Sequence, residues 1–239
     1  MASLAADLQH ASAEYLRAAH ALSAARHKSA ADFSRALVAS LAELAMDRTR
    51  FEVRFDSPSD RTTKRPEDVW SDRGIDRAEC YISPNPGEDL RPLARTASGG
   101  ELSRIMLAIK ALAAADSPGK AIIFDEVDAG IGGRVADVVG RKLRSLGRRA
   151  QVLCITHLPQ VAAHAMTHFH ISKDIRRGRT LTAVTRLNEA ERVEEVARML
   201  GGVHVTDGAR ASARELLAQP DSEEKTNGES ERAKAKQRH

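Results

Sequence analysis

Two acidic residues that follow an apolar run are the first candidates for chemistry in this sequence. The run Ala121–Phe124 leads directly into Asp125 and Glu126. Such a run is typical of a parallel strand buried on both faces, whose last residues lie at the carboxyl edge of the sheet, where ligands bind. There Asp125 could hold Mg²⁺ through water, and Glu126 could activate a water that attacks a phosphate. A strand that simply runs into an acidic turn would give the same pattern.

A hydroxyl and two glycines form the second candidate, because they stand directly before an apolar-periodic helix. These residues are Ser98, Gly99 and Gly100. Glycine lets a backbone approach an anion closely, and a helix start presents unpaired N–H groups with positive dipole character. The pattern therefore favours phosphate binding. The alternative is an ordinary capping box, since Ser98 and Glu101 have the required offset of three residues.

A histidine ends a second apolar run, Val152–Thr156, and is the third candidate. A lone histidine at a strand end is usually a satisfied polar residue, although its side chain can also sense charge or exchange a proton. The order of the candidates favours a functional role for His157. The glycines are followed by one helix, the acidic pair, Asp128, one more helix and then His157, which is the order found in ABC-type ATPases.

Alternating helices and strands are predicted to position these groups. We expect strands near residues 51–55, 78–82, 121–125, 151–156, 168–172 and 181–187. We expect helices over about 100–115, 133–146, 189–200 and 207–217, with a short helix after Pro159. This alternation predicts an α/β fold with parallel central strands. Residues from Ala218 onward are polar and aperiodic, which predicts a disordered tail.

The first part of the sequence predicts one long helix from Ser3 to about Asp47, because it is rich in good helix formers and contains neither Gly nor Pro. Core-type positions recur at heptad spacing and then at a spacing of eleven, which is typical of a coiled coil. They are Leu4, Leu8, Ala11, Tyr15, Ala18, Leu22, Ala25 and Ser29, followed by Phe33, Leu37, Leu41 and Leu44. A helix of ~45 residues would span ~65 Å, which favours an exposed arm with a partner strand. The alternative is an amphipathic helix packed on a domain.

Composition narrows the class of protein. The 239 residues are 42% hydrophobic, enough for one core and an appendage. No apolar stretch approaches the ~20 residues that span a membrane, and no signal peptide is evident. Cys80 and Cys154 stand alone in apolar runs, which fits a reducing cytosol. A net charge of +4 mildly favours a polyanionic partner, while only 3% aromatic content argues against base stacking.

Several stretches together resemble the RecN family of bacterial DNA-repair proteins, which are SMC-like ABC-type ATPases. The stretches are 83–88, 97–108, 124–131, 152–162 and 192–202. The resemblance extends from the long helix to about Leu217. It implies the C-terminal part of an ATPase head, a mixed sheet flanked by helices, with an N-terminal coiled-coil arm. The implied domains are a descending arm over 1–48, the C-terminal lobe of the head over 49–217 and the tail over 218–239.

The resemblance also implies roles for the candidate residues. In this family two heads close on two ATP molecules, and each nucleotide lies between the P-loop of one head and the signature of the other. Ser98, Gly99, Gly100 and Glu101 match the signature, which contacts ATP in trans. Asp125 matches the Mg²⁺ carboxylate, Glu126 the catalytic carboxylate, Asp128 the D-loop acid and His157 the switch histidine.

The sequence departs from the family at one essential motif, the P-loop G-x-x-x-x-G-K-[ST]. The only Gly-Lys pair, Gly119-Lys120, precedes Ala121 and lacks the earlier glycine. We therefore expect a C-terminal portion that opens within the descending arm and is inactive alone. The implied partners are the N-terminal P-loop half, a second head bridged by ATP, and DNA contacted mainly through phosphates. ATP and Mg²⁺ would bind in the completed head dimer, in the cytoplasm at the nucleoid and without membrane contact.

The same residues allow several other interpretations of function. A non-enzymatic remnant with an interaction arm is the main alternative. A transporter ATPase is disfavoured, because it would not need the arm and would also need a P-loop. A dinucleotide site at Gly130–Gly133 is excluded, because Val135 stands where G-x-G-x-x-G requires glycine. His164, His168 and His170 lack companions at metal-ligand spacing. Basic residues could contact phosphates or form a solvated helix face: Arg141, Lys142, Arg144, Arg148 and Arg149.

Overall fold

The computed structural model describes residues 2–56, 70–95, 99–113, 121–176, 179–202 and 204–219. The chain packs as two compact units, residues 1–97 and 98–239. The polar connection predicted over 57–67 lies outside the described residues, as does most of the predicted tail. Residues 218 and 219 are an exception, because they belong to the last helix. The division at residue 48 that the sequence suggested stays a prediction.

The first unit begins with the long helix α1, Ala2–Ala42. The predicted end near Asp47 is wrong by about one turn. Ala45 adopts a left-handed backbone with φ of 59°, and the amide of Met46 bonds back to the carbonyl of Leu41 at 3.1 Å. A left-handed residue just past the last turn is a common helix terminator. The sequence did not predict this helix end, because alanine is the best helix former and rarely adopts a left-handed backbone.

The apolar stripe of α1 divides into an exposed start and a buried base. Leu8 is 68% exposed, whereas Leu37 and Leu41 are fully buried. At the base, Phe33 meets Phe51 of the first strand edge to face, with ring centroids 5.9 Å apart. Among the described residues, the predicted stripe is buried at its base, whereas in the middle of α1 the buried residue is Ala19, which the predicted spacing did not include.

The middle of α1 is covered by a segment that follows the undescribed connection. Trp70 stacks on Tyr15 with ring centroids 4.6 Å apart. The carboxylate of Asp76 accepts hydrogen bonds from Ser23 Oγ at 2.8 Å and Arg26 Nη1 at 3.2 Å. The packed-helix alternative therefore describes this part of α1. The sequence could not reveal these contacts, because the partners lie about fifty residues apart.

Three antiparallel strands complete the first unit. Strand β1, Arg50–Asp56, pairs with β2, Arg77–Ser83, and β2 pairs with the short edge strand β3, Arg91–Pro92. Phe51 faces Ile82 across the first pair, and both are buried. β1 and β2 were predicted. β3 was not, because two residues that include a proline carry no strand pattern.

The second unit alternates helices and strands nearly as predicted. In chain order they are α2 Gly99–Ala113, β4 Ala121–Phe124, α3 Gly133–Gly147, β5 Gln151–Cys154, α4 Pro159–Ala163, β6 Phe169–Arg176, β7 Arg179–Arg186, α5 Glu189–Gly201 and a helix α6 over residues 207–219. β4 and β5 pair in parallel, and β6 pairs with β7 antiparallel. The α/β class with parallel strands and a long N-terminal helix is confirmed.

Side-chain hydrogen bonds stabilise the start of α5 and the end of α4 in the second unit. Asn188 and Glu191 form a capping box at the start of α5. One residue further on, the Arg192 guanidinium donates to backbone carbonyls where α4 ends, including that of Ala163 at 2.9 Å. The orphan carbonyls of a short helix are thereby satisfied. Across the residues that the structure describes, no helix is both long enough and apolar enough to cross a membrane.

Candidate phosphate-binding site

The parallel strand pair brings the predicted acidic and histidine segments to one edge. Phe124 and Cys154 are partners in the register of β4 and β5, and the amide of Ile155 donates to the carbonyl of Phe124 at 2.9 Å. Because both strands run in the same direction, the residues that follow them lie at the same carboxyl edge. The strands place Asp125 and His157 on neighbouring turns, as the sequence predicted.

The expectation that this strand is buried on both faces is wrong for the present chain. Phe124 is buried, but Ile123 on the opposite face is 68% exposed. Leu153 pairs with Ile123 and is also exposed, as is Ile155. An apolar run thus predicted the strand correctly, while one of its faces finds no cover among the described residues.

The turn after β4 presents two exposed carboxylates. Asp125 and Glu126 are both exposed, whereas Val127 and Asp128 are buried. Glu126 has a left-handed backbone with φ of 57°. Residues other than glycine rarely adopt this left-handed conformation, because it is strained. Those that do cluster at ligand sites, where the surrounding structure holds them in place. The turn is closed by a hydrogen bond from the amide of Ala129 to the carbonyl of Glu126 at 3.1 Å.

The start of α2 packs tightly against this turn. A Cβ added to Gly99 would collide with the Glu126 carboxylate, and one added to Gly100 would lie 2.8 Å from the Ala129 Cβ. Gly100 is therefore required for this close approach, whereas the atom that faces Gly99 is the end of the flexible Glu126 side chain, which can move away. Ser98 lies outside the described residues, so neither its signature role nor its capping role is tested. Glu101 is half-buried in the first turn of α2.

Two residues of α2 that the sequence analysis passed over hold the acidic turn in place. The Ser103 hydroxyl donates to the carbonyl of Asp125 at 2.7 Å, and Arg104 Nη1 donates to the carbonyl of Ala129 at 2.8 Å. Arg104 is buried, and this burial lowers its pKa against the opposing effect of Glu101. Helical spacing could have revealed it, because Arg104 falls on the same face as the buried Gly100 and Ala108.

Replacement of Gly100 by alanine tests this packing. We expect Gly100→Ala to lower the free energy of unfolding by about 1–3 kcal/mol, because the neighbours are a Cβ and a backbone carbonyl that cannot swing away. Gly147→Ala is the matched control, since nothing lies within 4 Å of its added Cβ at the end of α3. Thermal unfolding of both variants gives the comparison. Equal stability of the two variants would show that the α2 start does not pack as described.

Asp128 joins the two neighbouring turns. Its buried carboxylate oxygen Oδ2 accepts hydrogen bonds from Thr156 Oγ1 at 2.5 Å and from the backbone amide of His157 at 3.0 Å. The Nδ1 atom of His157 lies 3.2 Å from the same oxygen, while the His157 side chain is 74% exposed. Asp128 therefore faces into its own unit. Its match to the D-loop acid stays a prediction.

Cys154 lies beside these carboxylates at the end of β5. Burial, followed by the charges of Asp128 and Asp125, raises the pKa of Cys154 to about 12. The thiol therefore stays protonated at neutral pH, because its pKa lies far above that pH. It is a packing residue rather than a nucleophile.

The possible metal chemistry of the site depends on exposed carboxylate. Within the described parts of the chain, no three His, Cys, Asp or Glu residues gather as a metal cage. His164 is buried and bonded through Nε2 to Asp137 at 2.8 Å, which explains it without a metal. Mg²⁺ commonly binds one or two carboxylates and completes its shell with water and phosphate oxygens. The exposed carboxylate of Asp125 fits that mode.

Comparison with known proteins gives a consistent relationship. No family model matches the sequence. The chain is 45% identical over 197 residues to the DNA repair protein RecN of Halalkalibacterium halodurans, which covers 82% of this chain and 34% of that protein. It is 45% identical over 197 residues to RecN of Bacillus subtilis, covering 79% and 34%. It is 38% identical over 217 residues to RecN of Vibrio cholerae, covering 91% and 38%.

Solved structures of Smc heads are more distant. The Smc head domain with a coiled coil and joint from Pyrococcus yayanosii has a TM-score of 0.46 and 18% identity, covering 69% of this chain and 28% of that chain. The Smc head domain from Pyrococcus furiosus, bound to the C-terminal domain of ScpA, has a TM-score of 0.43 and 21% identity, covering 70% and 37%. At such low values, neither likeness bears on what this chain does.

The relationship to RecN proteins thus covers most of this chain but only about a third of the relatives' own length. The resemblance predicted from the signature, acidic and histidine stretches is confirmed by these identities. By sequence, the chain is homologous to about one third of the length of the DNA repair proteins RecN.

Proposed function

We propose that this chain is the C-terminal part of an SMC-like ATPase that acts in the recombinational repair of DNA double-strand breaks. The observation that carries the proposal is the convergence of three predicted elements at one edge of the second unit. The glycine start of α2 packs on Glu126, and Asp128 joins the same turn to His157. The RecN relatives are named as DNA repair proteins, which supports the biological role.

Each group at this edge has chemistry suited to a nucleoside triphosphate. The N-terminus of α2 presents backbone amides and positive dipole character to an anion. Glu126 is exposed and would orient the attacking water and accept its proton. His157 would lie beside the γ-phosphate. Mg²⁺, held through water by Asp125, would neutralise charge on the phosphates.

We propose that a P-loop absent from this sequence completes the site. The exposed apolar face of β4 and β5, formed by Ile123, Leu153 and Ile155, supports this view. Parallel sheets normally have both faces covered, and a pair of strands alone has little stability. A P-loop-bearing segment of the same protein is the occupant that we infer for this face. Without it, the chain would not hydrolyse ATP.

The proposed assembly extends to a second head and to DNA. Two completed heads would close on two ATP molecules, with the signature of each head facing the P-loop of the other. The net charge of +4 supports contacts with DNA phosphates, and an aromatic content of 3% argues against base stacking. Such an assembly would act in the cytoplasm at the nucleoid.

Reconstitution tests the proposal. This chain and the P-loop-bearing remainder of a RecN relative would be assayed for ATP hydrolysis separately and together. We expect turnover only in the mixture, because each part lacks groups that the other supplies. Ile123→Asp should abolish assembly and turnover, since it places a charge on the docking face. Met166→Asp, an equally exposed position off that face, is the control and should leave both intact. A mixture that assembles without turnover would favour the non-enzymatic alternative.

A further inference from the structure

The carboxylate of Asp128 is buried, whereas those of Asp125 and Glu126 in the same turn are exposed. The inference drawn from it depends on the proposed ATP site. A buried carboxylate is costly unless hydrogen bonds compensate for lost water. Here Thr156 Oγ1 and the His157 amide both donate to Oδ2, at 2.5 and 3.0 Å. The carboxylate is thus fixed in position rather than free to swing outward.

The Thr156 hydroxyl is both a hydrogen-bond donor and a hydrogen-bond acceptor. It donates to Asp128 and accepts a hydrogen bond from the amide of Leu158 at 3.0 Å. These two bonds span the backbone on either side of His157, between the end of β5 and the start of α4. Thr156 therefore sets the conformation of the turn from which the histidine projects. Valine has the same shape but can make neither bond, which provides a sharp substitution.

The position of Asp128 also affects which ring nitrogen of His157 carries hydrogen. A carboxylate oxygen only accepts, so its proximity at 3.2 Å favours a hydrogen on Nδ1. Nε2 then carries a lone pair and accepts a hydrogen bond, so its partner must be a donor such as water rather than a phosphate oxygen. Carboxylates that orient histidines in this way are common beside metal and catalytic sites.

We propose that Asp128 and Thr156 are positioning residues of the switch histidine, which together hold the His157 turn and keep hydrogen on Nδ1, so that the Nε2 lone pair can accept a hydrogen bond from the attacking water. Neither residue touches ATP in this scheme. Asp128 acts within its own head, through His157, and not on the opposite head.

The tautomer can be tested without any nucleotide. Nitrogen-15 NMR of the chain should show neutral His157 with hydrogen predominantly on Nδ1. Asp128→Asn should raise the population with hydrogen on Nε2, because the amide offers donors as well as an acceptor. A wild-type His157 with hydrogen predominantly on Nε2 would overturn the inference, while leaving the proposed ATPase function untouched.

Kinetics of the reconstituted ATPase provide the second test. Thr156→Val should lower kcat roughly 10- to 100-fold with KM for ATP little changed, as for other residues that orient a reactive group. Thr156→Ser keeps the hydroxyl and should restore most of the rate. If both variants are equally slow, the hydroxyl is not responsible and the role of Thr156 is refuted. Circular dichroism spectra of both variants establish that they fold.

A double-mutant cycle separates positioning from an independent role. If Asp128 acts through His157, Asp128→Asn combined with His157→Ala should be no slower than His157→Ala alone. Multiplicative losses would show that Asp128 acts separately, for example on the opposite head, and would overturn the inference. A wild-type mixture with no turnover would instead count against the proposed function, and the tautomer experiment would still decide the inference.

Discussion

Glu126→Gln is expected to slow ATP hydrolysis by about 10² to 10⁴ in the reconstituted protein, while ATP remains bound. The amide keeps the size and shape of the side chain but cannot accept the proton of the attacking water. Glutamine would adopt the same left-handed backbone as Glu126, with φ of 57°, so the substitution adds no backbone strain. Single-turnover hydrolysis and nucleotide retention would be measured together.

The control for this substitution is Glu189→Gln, an exposed glutamate at the start of α5. It removes the same charge without touching the acidic turn, and its turnover should match the wild type. A Glu126→Gln protein with an unchanged rate would move the role of base to another group, of which the exposed His157 is the nearest in the proposed scheme.

Leu41→Ala should cost the first unit about 2–5 kcal/mol of unfolding free energy, because it empties a fully buried site at the base of α1. Leu8→Ala is the matched control in the same helix and should have little effect, since Leu8 is exposed. Trp70 is the only tryptophan, and it stacks on Tyr15 of α1, so its fluorescence reports the unfolding of this unit in urea.

Equal losses from the two leucine substitutions would mean that the start of α1 is buried in solution, for instance by a second copy of the arm. The concentration dependence of unfolding would identify that case, because association adds stability only where the partner is present. A negligible loss from Leu41→Ala would contradict the buried base of the helix.

Local patterns predicted most of the secondary structure. The strands around Phe51 and Ile82 alternate apolar and polar residues, and the run before Asp125 is continuously apolar. These patterns were sufficient to predict the three strands. The end of α1 was not, since Ala45 terminates the helix through a backbone conformation that alanine rarely adopts. Trp70 and Asp76 pack on residues of α1 that lie about fifty positions earlier in the sequence, and hydrophobic periodicity cannot predict such contacts.

The candidate site was predictable as a set of residues but not as an arrangement. Parallel pairing and the order of motifs indicated that Asp125 and His157 would share an edge. The direction of the Asp128 side chain depends on which donors lie beneath it, and Thr156 carries no motif that marks it as one. The helical spacing of Arg104 indicates its burial but not its partner, because the carbonyl that accepts from it lies 25 residues away in sequence.

The protonated thiol of Cys154 bears on how such a site would fare under oxidative stress. Oxidants attack thiolates, and with a pKa of about 12 the thiolate fraction at pH 7 is on the order of one in 10⁵. Peroxides, which react with the thiolate, would therefore oxidise the Cys154 sulfur slowly. In the proposed repair role, this thiol beside the acidic turn would stay reduced in a cell exposed to peroxide.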